Sequence, residues 1–151
     1  DDIETIHAAT DLLAEAKLSP ELRNEALYYR AKAYTKQKAD KKAMEDYREL
    51  AKDTRNSYGA EAKYQVAQSL YDAKEYAAAE KELLNYIEQS TPHAYWLARS
   101  FILLSDVYHA TGKDLDARQY LLSLQQNYQG NDDIESMIES RLSKLKVENW
   151  E

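Results

Sequence analysis

Apolar residues return every third or fourth position along most of this chain. Leu27, Ala31 and Tyr34 form one such series, Ala67 and Leu70 another, and Ile134, Ile138, Leu142 and Leu145 a fourth-quarter stripe. That spacing is one face of an α-helix. Polar and conformationally special residues interrupt it. Ser19-Pro20 and Thr91-Pro92 each offer a capping hydroxyl followed by proline at a first helical position. Asp40 and Asp114 stand where a cap should open a helix, and Gly112 suits the left-handed position after a helix end. Asn56-Ser57-Tyr58-Gly59 and Gly130-Asn131-Asp132 mark two further breaks. The pattern predicts eight helices, near 2–17, 20–37, 41–54, 59–73, 76–89, 92–111, 114–128 and 132–147.

The breaks themselves recur. Three times a hydrophobic helix end is followed by a short polar turn and then by an alanine that starts a second apolar series. The alanines are Ala43, Ala79 and Ala117, 36 and 38 residues apart. A period in the middle to upper thirties is that of a helix–turn–helix solenoid. The first helix, with Ala8-Ala9, Leu12-Leu13 and Ala16, reads as the second half of an earlier unit. The last reads as a cap over the third.

Composition narrows the class. The 151 residues suffice for one domain with its own core, and 44% hydrophobic against 31% charged residues describes neither a membrane span nor a disordered tail. Three glycines and two prolines are too few for the turns of a β-sandwich, so an all-α fold is expected. A net charge of −7 argues against nucleic acid or an anionic membrane as partner. No direct membrane insertion is expected. The absence of cysteine excludes disulfides and thiolate chemistry. The chain opens Asp-Asp-Ile, which reads as a fragment or processed form.

These residues resemble the tetratricopeptide repeat. The motif's positions are occupied by Leu27, Ala31, Tyr34 with Ala43, Tyr47, Leu50 in the first unit. In the second they are Val66, Ala67, Leu70, Tyr76 with Ala79, Leu83, Tyr86, and in the third Phe101, Leu104, Ser105, Tyr108, Gly112 with Ala117, Leu121, Leu124. The departures are Arg30 where an aliphatic residue is usual, the turn glycine kept only in the third unit, and a closing proline approximated only by Pro92. The resemblance implies an all-α, right-handed α-solenoid of antiparallel helix pairs in one domain over 1–151. Full repeats would cover 20–54, 59–89 and 92–128, with a partial repeat at 2–17 and a capping helix at 132–147. The run from Arg55 to Tyr71 and the run Ser90 to Ser100 are similar to repeat regions of long bacterial cell-envelope and periplasmic proteins. That implies an envelope setting and a C-terminal place in a longer bacterial protein.

In such a repeat the first helices line a concave groove. The resemblance places Tyr28, Tyr64, Tyr71 and Ile102 as its floor and Lys32, Gln68, Arg99, Asp106 and His109 as its polar readers. Tyrosine suits recognition because it joins a rigid apolar face to a hydrogen-bonding tip. The alternative is that these tyrosines only pack against neighbouring helices. The carboxylate clamp of some family members is not matched, since tyrosines stand at Tyr28 and Tyr64 and Lys32 and Gln68 follow. Tyr34 is expected in the core. The apolar helix around Trp96 reads as central to the fold, with a partner patch or dimer face as the rival account. The lysines of 36–42 read as a solvated turn.

No catalytic constellation emerges. His7, His93 and His109 lie in different helices without metal-ligand spacing, and neither a phosphate loop nor a nucleophile elbow occurs. The function expected is therefore non-enzymatic, with no cofactor and no metal: binding of a protein or peptide segment in the groove. The competing expectations are a structural spacer or homodimerisation module and, more distantly, an accessory domain of an enzyme.

Overall fold

The computed structural model of the chain describes residues 1–89 and 91–145. They form eight helices: α1 Asp2–Leu13, α2 Pro20–Lys36, α3 Asp40–Leu50, α4 Ser57–Asp72, α5 Tyr76–Glu88, α6 Ala94–Ala110, α7 Asp114–Asn127 and α8 Ile134–Lys144. No strand occurs among the described residues. Among the described residues no helix is long and apolar enough to cross a membrane. The all-α expectation holds. The expected last helix reached 147, and 146–147 lie outside the described residues.

The chain divides into two compact units, Asp1–Val66 and Ala67–Glu151, the division falling within α4. In the first, α2 packs against both α1 and α3. Ala26, Leu27, Ala31, Ala43, Tyr47 and Leu50 are buried there. In the second, α6 packs against α5, α7 and α8, as its apolar sequence suggests. Its Ile102, Leu103, Leu104, Val107 and Tyr108 are buried together with Leu83, Tyr86, Leu121 and Ile138.

The three turns predicted from the repeat share one backbone geometry. Lys38, Lys74 and Gly112 have φ of 59°, 62° and 79°, in the left-handed region. At each turn the next amide donates to the carbonyl five residues before it: Ala39 to Tyr34 (2.8 Å), Glu75 to Leu70 (2.9 Å) and Lys113 to Tyr108 (2.7 Å). The left-handed residue itself donates to the carbonyl three before it, at Thr35, Tyr71 and His109, over 3.0, 2.9 and 3.2 Å. This is the Schellman helix ending. Five residues on come Ala43, Ala79 and Ala117, none more than 1% exposed. The backbone thus repeats at the same 36- and 38-residue intervals as the alanines.

Several local expectations are corrected. α1 stops at Leu13, not 17, because the residues up to Ser19 must turn the chain before Pro20, whose ring disfavours helix at the preceding residue. Ser19 does cap α2, accepting from the Leu22 amide at 3.2 Å. Thr91 does not cap α6. It is buried and donates to the Tyr86 hydroxyl at 3.0 Å, and the helix starts at Ala94 after His93. Asp40 and Asp114 are first helical residues, where their charge favours the positive helix end, and Ala39 and Lys113 hold the cap positions without side-chain bonds. α3 ends at Leu50, earlier than 54. Asn56 then caps α4, its Oδ1 accepting from the Gly59 amide at 2.8 Å. Gly59 itself has no room for a side chain, since a Cβ there would overlap the Asp53 carbonyl oxygen. Tyr34 is half-buried and not a core residue, its ring flanked at 5.8 Å by the charged ends of Arg30 and Lys42.

Candidate functional site

Tyr28 and Lys32 stand four residues apart on α2 and so share a face. The Lys32 ammonium lies 5.1 Å from the centre of the Tyr28 ring. α4 brings Glu61 to the same place. Its Oε1 accepts from the Tyr28 hydroxyl at 2.8 Å, and its Oε2 lies 3.7 Å from Lys32 Nζ. Tyr58, one turn earlier on α4, packs its ring on Tyr28 with centroids 4.6 Å apart, and Tyr29 meets Tyr28 edge-on at 5.4 Å. Burial, and then the Glu61 carboxylate, push the Tyr28 hydroxyl well above the usual tyrosine range. It therefore stays a neutral donor at physiological pH.

This cluster is built unevenly. The Glu61 side chain is 12% exposed and that of Lys32 46%. The carboxylate is held by a hydrogen bond of ordinary length from a half-buried phenol, whereas the ammonium reaches it from solvent at a distance too long for a strong hydrogen bond. Lys32 is the exposed member of the pair, and solvent screens its attraction to Glu61. The cluster thus sets a cation, an oriented carboxylate and aromatic surface side by side, and Glu61 keeps its bond from Tyr28 whether or not Lys32 stays near it.

The remaining expected residues are dispersed among different contacts. Tyr64 and Ile102 are interior, 5% and 1% exposed, so neither presents its side chain to a ligand. α6 is buried along two adjacent stripes because three helices pack on it, and the second stripe is the one that holds Ile102. Gln68 donates to Asp72 within α4 at 2.9 Å. Tyr71 is half-buried, edge-on to Tyr76 at 5.6 Å. Burial raises its hydroxyl pKa first and the nearby Asp106 next, with Arg141 opposing. Asp106 accepts from Arg141 of α8 through both carboxylate oxygens at 3.3 Å. Arg99 donates to the Tyr95 hydroxyl at 2.9 Å, its guanidinium lying 5.7–5.8 Å from the Tyr95 and Trp96 rings. His109 Nδ1 is 2.8 Å from Asp114 Oδ1, tying the end of α6 to the start of α7 across the Gly112 turn. The structure thus joins Tyr28 with Lys32, and Tyr71 with Asp106, and gives His109 and Gln68 local partners.

Sequence reasoning missed Glu61, Tyr58 and Arg141. It also left Arg30 as an unexplained departure. Arg30 Nε and Nη2 donate to Asp46 Oδ2 and Oδ1 at 2.8 and 2.7 Å, a two-pronged pair between α2 and α3. A signal for it existed. Asp46 lies between Ala43, Tyr47 and Leu50 on the buried face of α3, and a carboxylate there demands a cation opposite.

Set against family models, curated proteins and solved structures, the chain matches none of them.

Proposed function

We propose that this chain is a tetratricopeptide-type module, a right-handed solenoid of antiparallel helix pairs. Its function in this reading is non-enzymatic recognition of a protein or peptide segment. The architecture is supported by the threefold return of one left-handed turn at Lys38, Lys74 and Gly112, each followed by a buried alanine five residues on. A repeat with a small residue fixed at one place lets helices approach closely and leaves their outer faces free to vary.

The single observation that carries the binding role is the Tyr28–Lys32–Glu61 cluster, formed where α2 meets α4 in the first unit. Its aromatic surface and its loosely paired ammonium suit an extended or helical segment with an acidic side chain beside an apolar one. The acid would take Lys32 from Glu61, and the apolar group would cover the Tyr28 and Tyr58 rings. Tyr71, with Tyr76 and the Asp106–Arg141 pair, is the corresponding candidate in the second unit.

The test is selection of peptides from a random display library on the whole chain, followed by amide shift mapping of the best binder by NMR. The reading expects acidic-apolar sequences and shifts centred on Tyr28, Lys32, Tyr58 and Glu61. Failure to select any peptide, or shifts confined to other surfaces, would overturn it.

A further inference from the structure

The first unit also has an open apolar cleft. Between α1 and α2 runs an open cleft of about 370 Å3. Its α1 wall is formed by Ala8, Ala9 and Leu12, and its α2 wall by Leu22, Ala26 and Tyr29. On each helix the lining positions follow a three- and four-residue spacing, Thr5 to Leu12 and Leu22 to Tyr29, which at 1.5 Å per residue gives a trough about 10 Å long. Alanines make the floor, so the trough has depth where a partner's large side chains could enter. Leu22 and Tyr29 are 46% and 49% exposed, unusual for such side chains.

Apart from Arg23 and Arg30, which follow Leu22 and Tyr29 and pair with Glu49 and Asp46, the charged residues at or beside the lining positions are acidic. Glu25 lines it, and Glu4, Asp11 and Glu21 are exposed one position from lining residues. None of these four carboxylates forms an ion pair among the described residues. α1 carries no lysine or arginine at all. The cations of α2 are turned elsewhere. Arg23 lies 3.9 Å from Glu49, Arg30 pairs with Asp46 and Lys32 with Glu61, which leaves Lys36 in the last turn.

We infer that the α1–α2 cleft docks a basic amphipathic helix, two turns of which place apolar side chains on the alanine floor while lysines or arginines meet Glu4, Asp11, Glu21 and Glu25. This is the helix-in-groove mode of recognition. A second copy of the chain fits less well. Two such clefts facing each other would bring the same four carboxylates together, and like charges across an interface are strongly unfavourable. The inference stands apart from the Tyr28–Lys32–Glu61 reading, which expects an acidic partner.

The probe is a fluorescein-labelled 14-residue helical peptide of leucine and lysine, with leucines spaced three and four apart, compared with its leucine–glutamate counterpart. Anisotropy is read at near-physiological salt, and amide shifts locate the peptide. The leucine–lysine peptide is expected to bind at least tenfold more tightly and to shift Ala8, Leu12, Ala26 and Tyr29. The double substitution Glu4→Lys/Glu25→Lys should weaken it at least tenfold. The equally charge-altering Glu135→Lys/Glu139→Lys on α8 should leave affinity within twofold, with circular dichroism melts verifying both folds. Equal loss in the two double variants, or shifts away from the cleft, would overturn the inference in favour of unspecific attraction to an acidic protein. A dimer in light scattering that Ala8→Arg converts to monomer would overturn it in favour of a second copy.

Discussion

Arg30 and Asp46 face each other as a two-pronged ion pair at 2.7 and 2.8 Å, with side chains only 19% and 5% exposed. The pair joins the helix that carries Tyr28 and Lys32 to its neighbour α3. Arg30 Nη1 also reaches Thr10 of α1 at 3.1 Å, so one guanidinium links three helices of the first unit.

Removing one partner alone should be costly, because it strands a buried charge. Arg30→Leu is expected to destabilise the fold by about 3 kcal/mol, in the range seen when buried pairs are broken. Arg30→Leu/Asp46→Leu should recover most of that loss. Urea unfolding of the two single variants and the double gives the coupling energy. Additive single losses would contradict the pairing.

The left-handed turns give a second expectation. Lysine at φ near 60° carries a cost that glycine does not. Lys38→Gly and Lys74→Gly should each raise stability by up to about 1 kcal/mol, the folded-state gain being offset in part by the greater freedom of unfolded glycine. Gly112→Ala should lower it by about 1 kcal/mol, and purely through backbone strain, since nothing lies within 4 Å of the added methyl. Thermal melts of the three variants check the opposite signs.

These turns mark what was legible in the sequence. The alanine register was visible, as were Gly112 and the breaks at Ser19-Pro20, 56–59, Thr91-Pro92 and 130–132, and from them together the eight helices and their order followed. That Lys38 and Lys74 adopt Gly112's conformation was not visible, because lysine has no preference for it. The register alone carried that information. Thr91 misled for a related reason: a capping hydroxyl before proline is locally indistinguishable from one drawn into the interior by Tyr86. At the site, Tyr28 and Lys32 were legible as neighbours on one helical face. Glu61 was not, since its place beside them depends on how α4 packs. Ile102 read as a groove position because two-stripe patterning cannot tell a helix with one buried face from one covered by three neighbours.

Alkaline titration supplies a third expectation. Burial, followed by the hydrogen bond and charge of Asp132, pushes the Tyr128 hydroxyl up to about 12. Tyr28 and Tyr108 are also raised, each by burial first and then by a carboxylate, Glu61 and Glu80 respectively. A folded pKa above the unfolded value near 10 means that the neutral form is favoured by folding. The stability these groups contribute is fully present below pH 10 and is lost as pH rises toward and beyond 12. Absorbance at 295 nm should therefore show a late-ionising group of tyrosines, with unfolding setting in over that window. Tyr128→Phe should reduce the pH sensitivity between 10 and 12. A single titration near pH 10 with the fold intact would contradict these environments.

The central claim, that the chain recognises a partner through the Tyr28–Lys32–Glu61 cluster, is tested most directly at Lys32. Its side chain is 46% exposed, so Lys32→Glu should leave the melting temperature within a few degrees of the parent. The measurement is the Kd of a display-selected acidic-apolar peptide for the parent chain and for Lys32→Glu, by fluorescence anisotropy. The account predicts at least a tenfold loss of affinity. An unchanged Kd would contradict it.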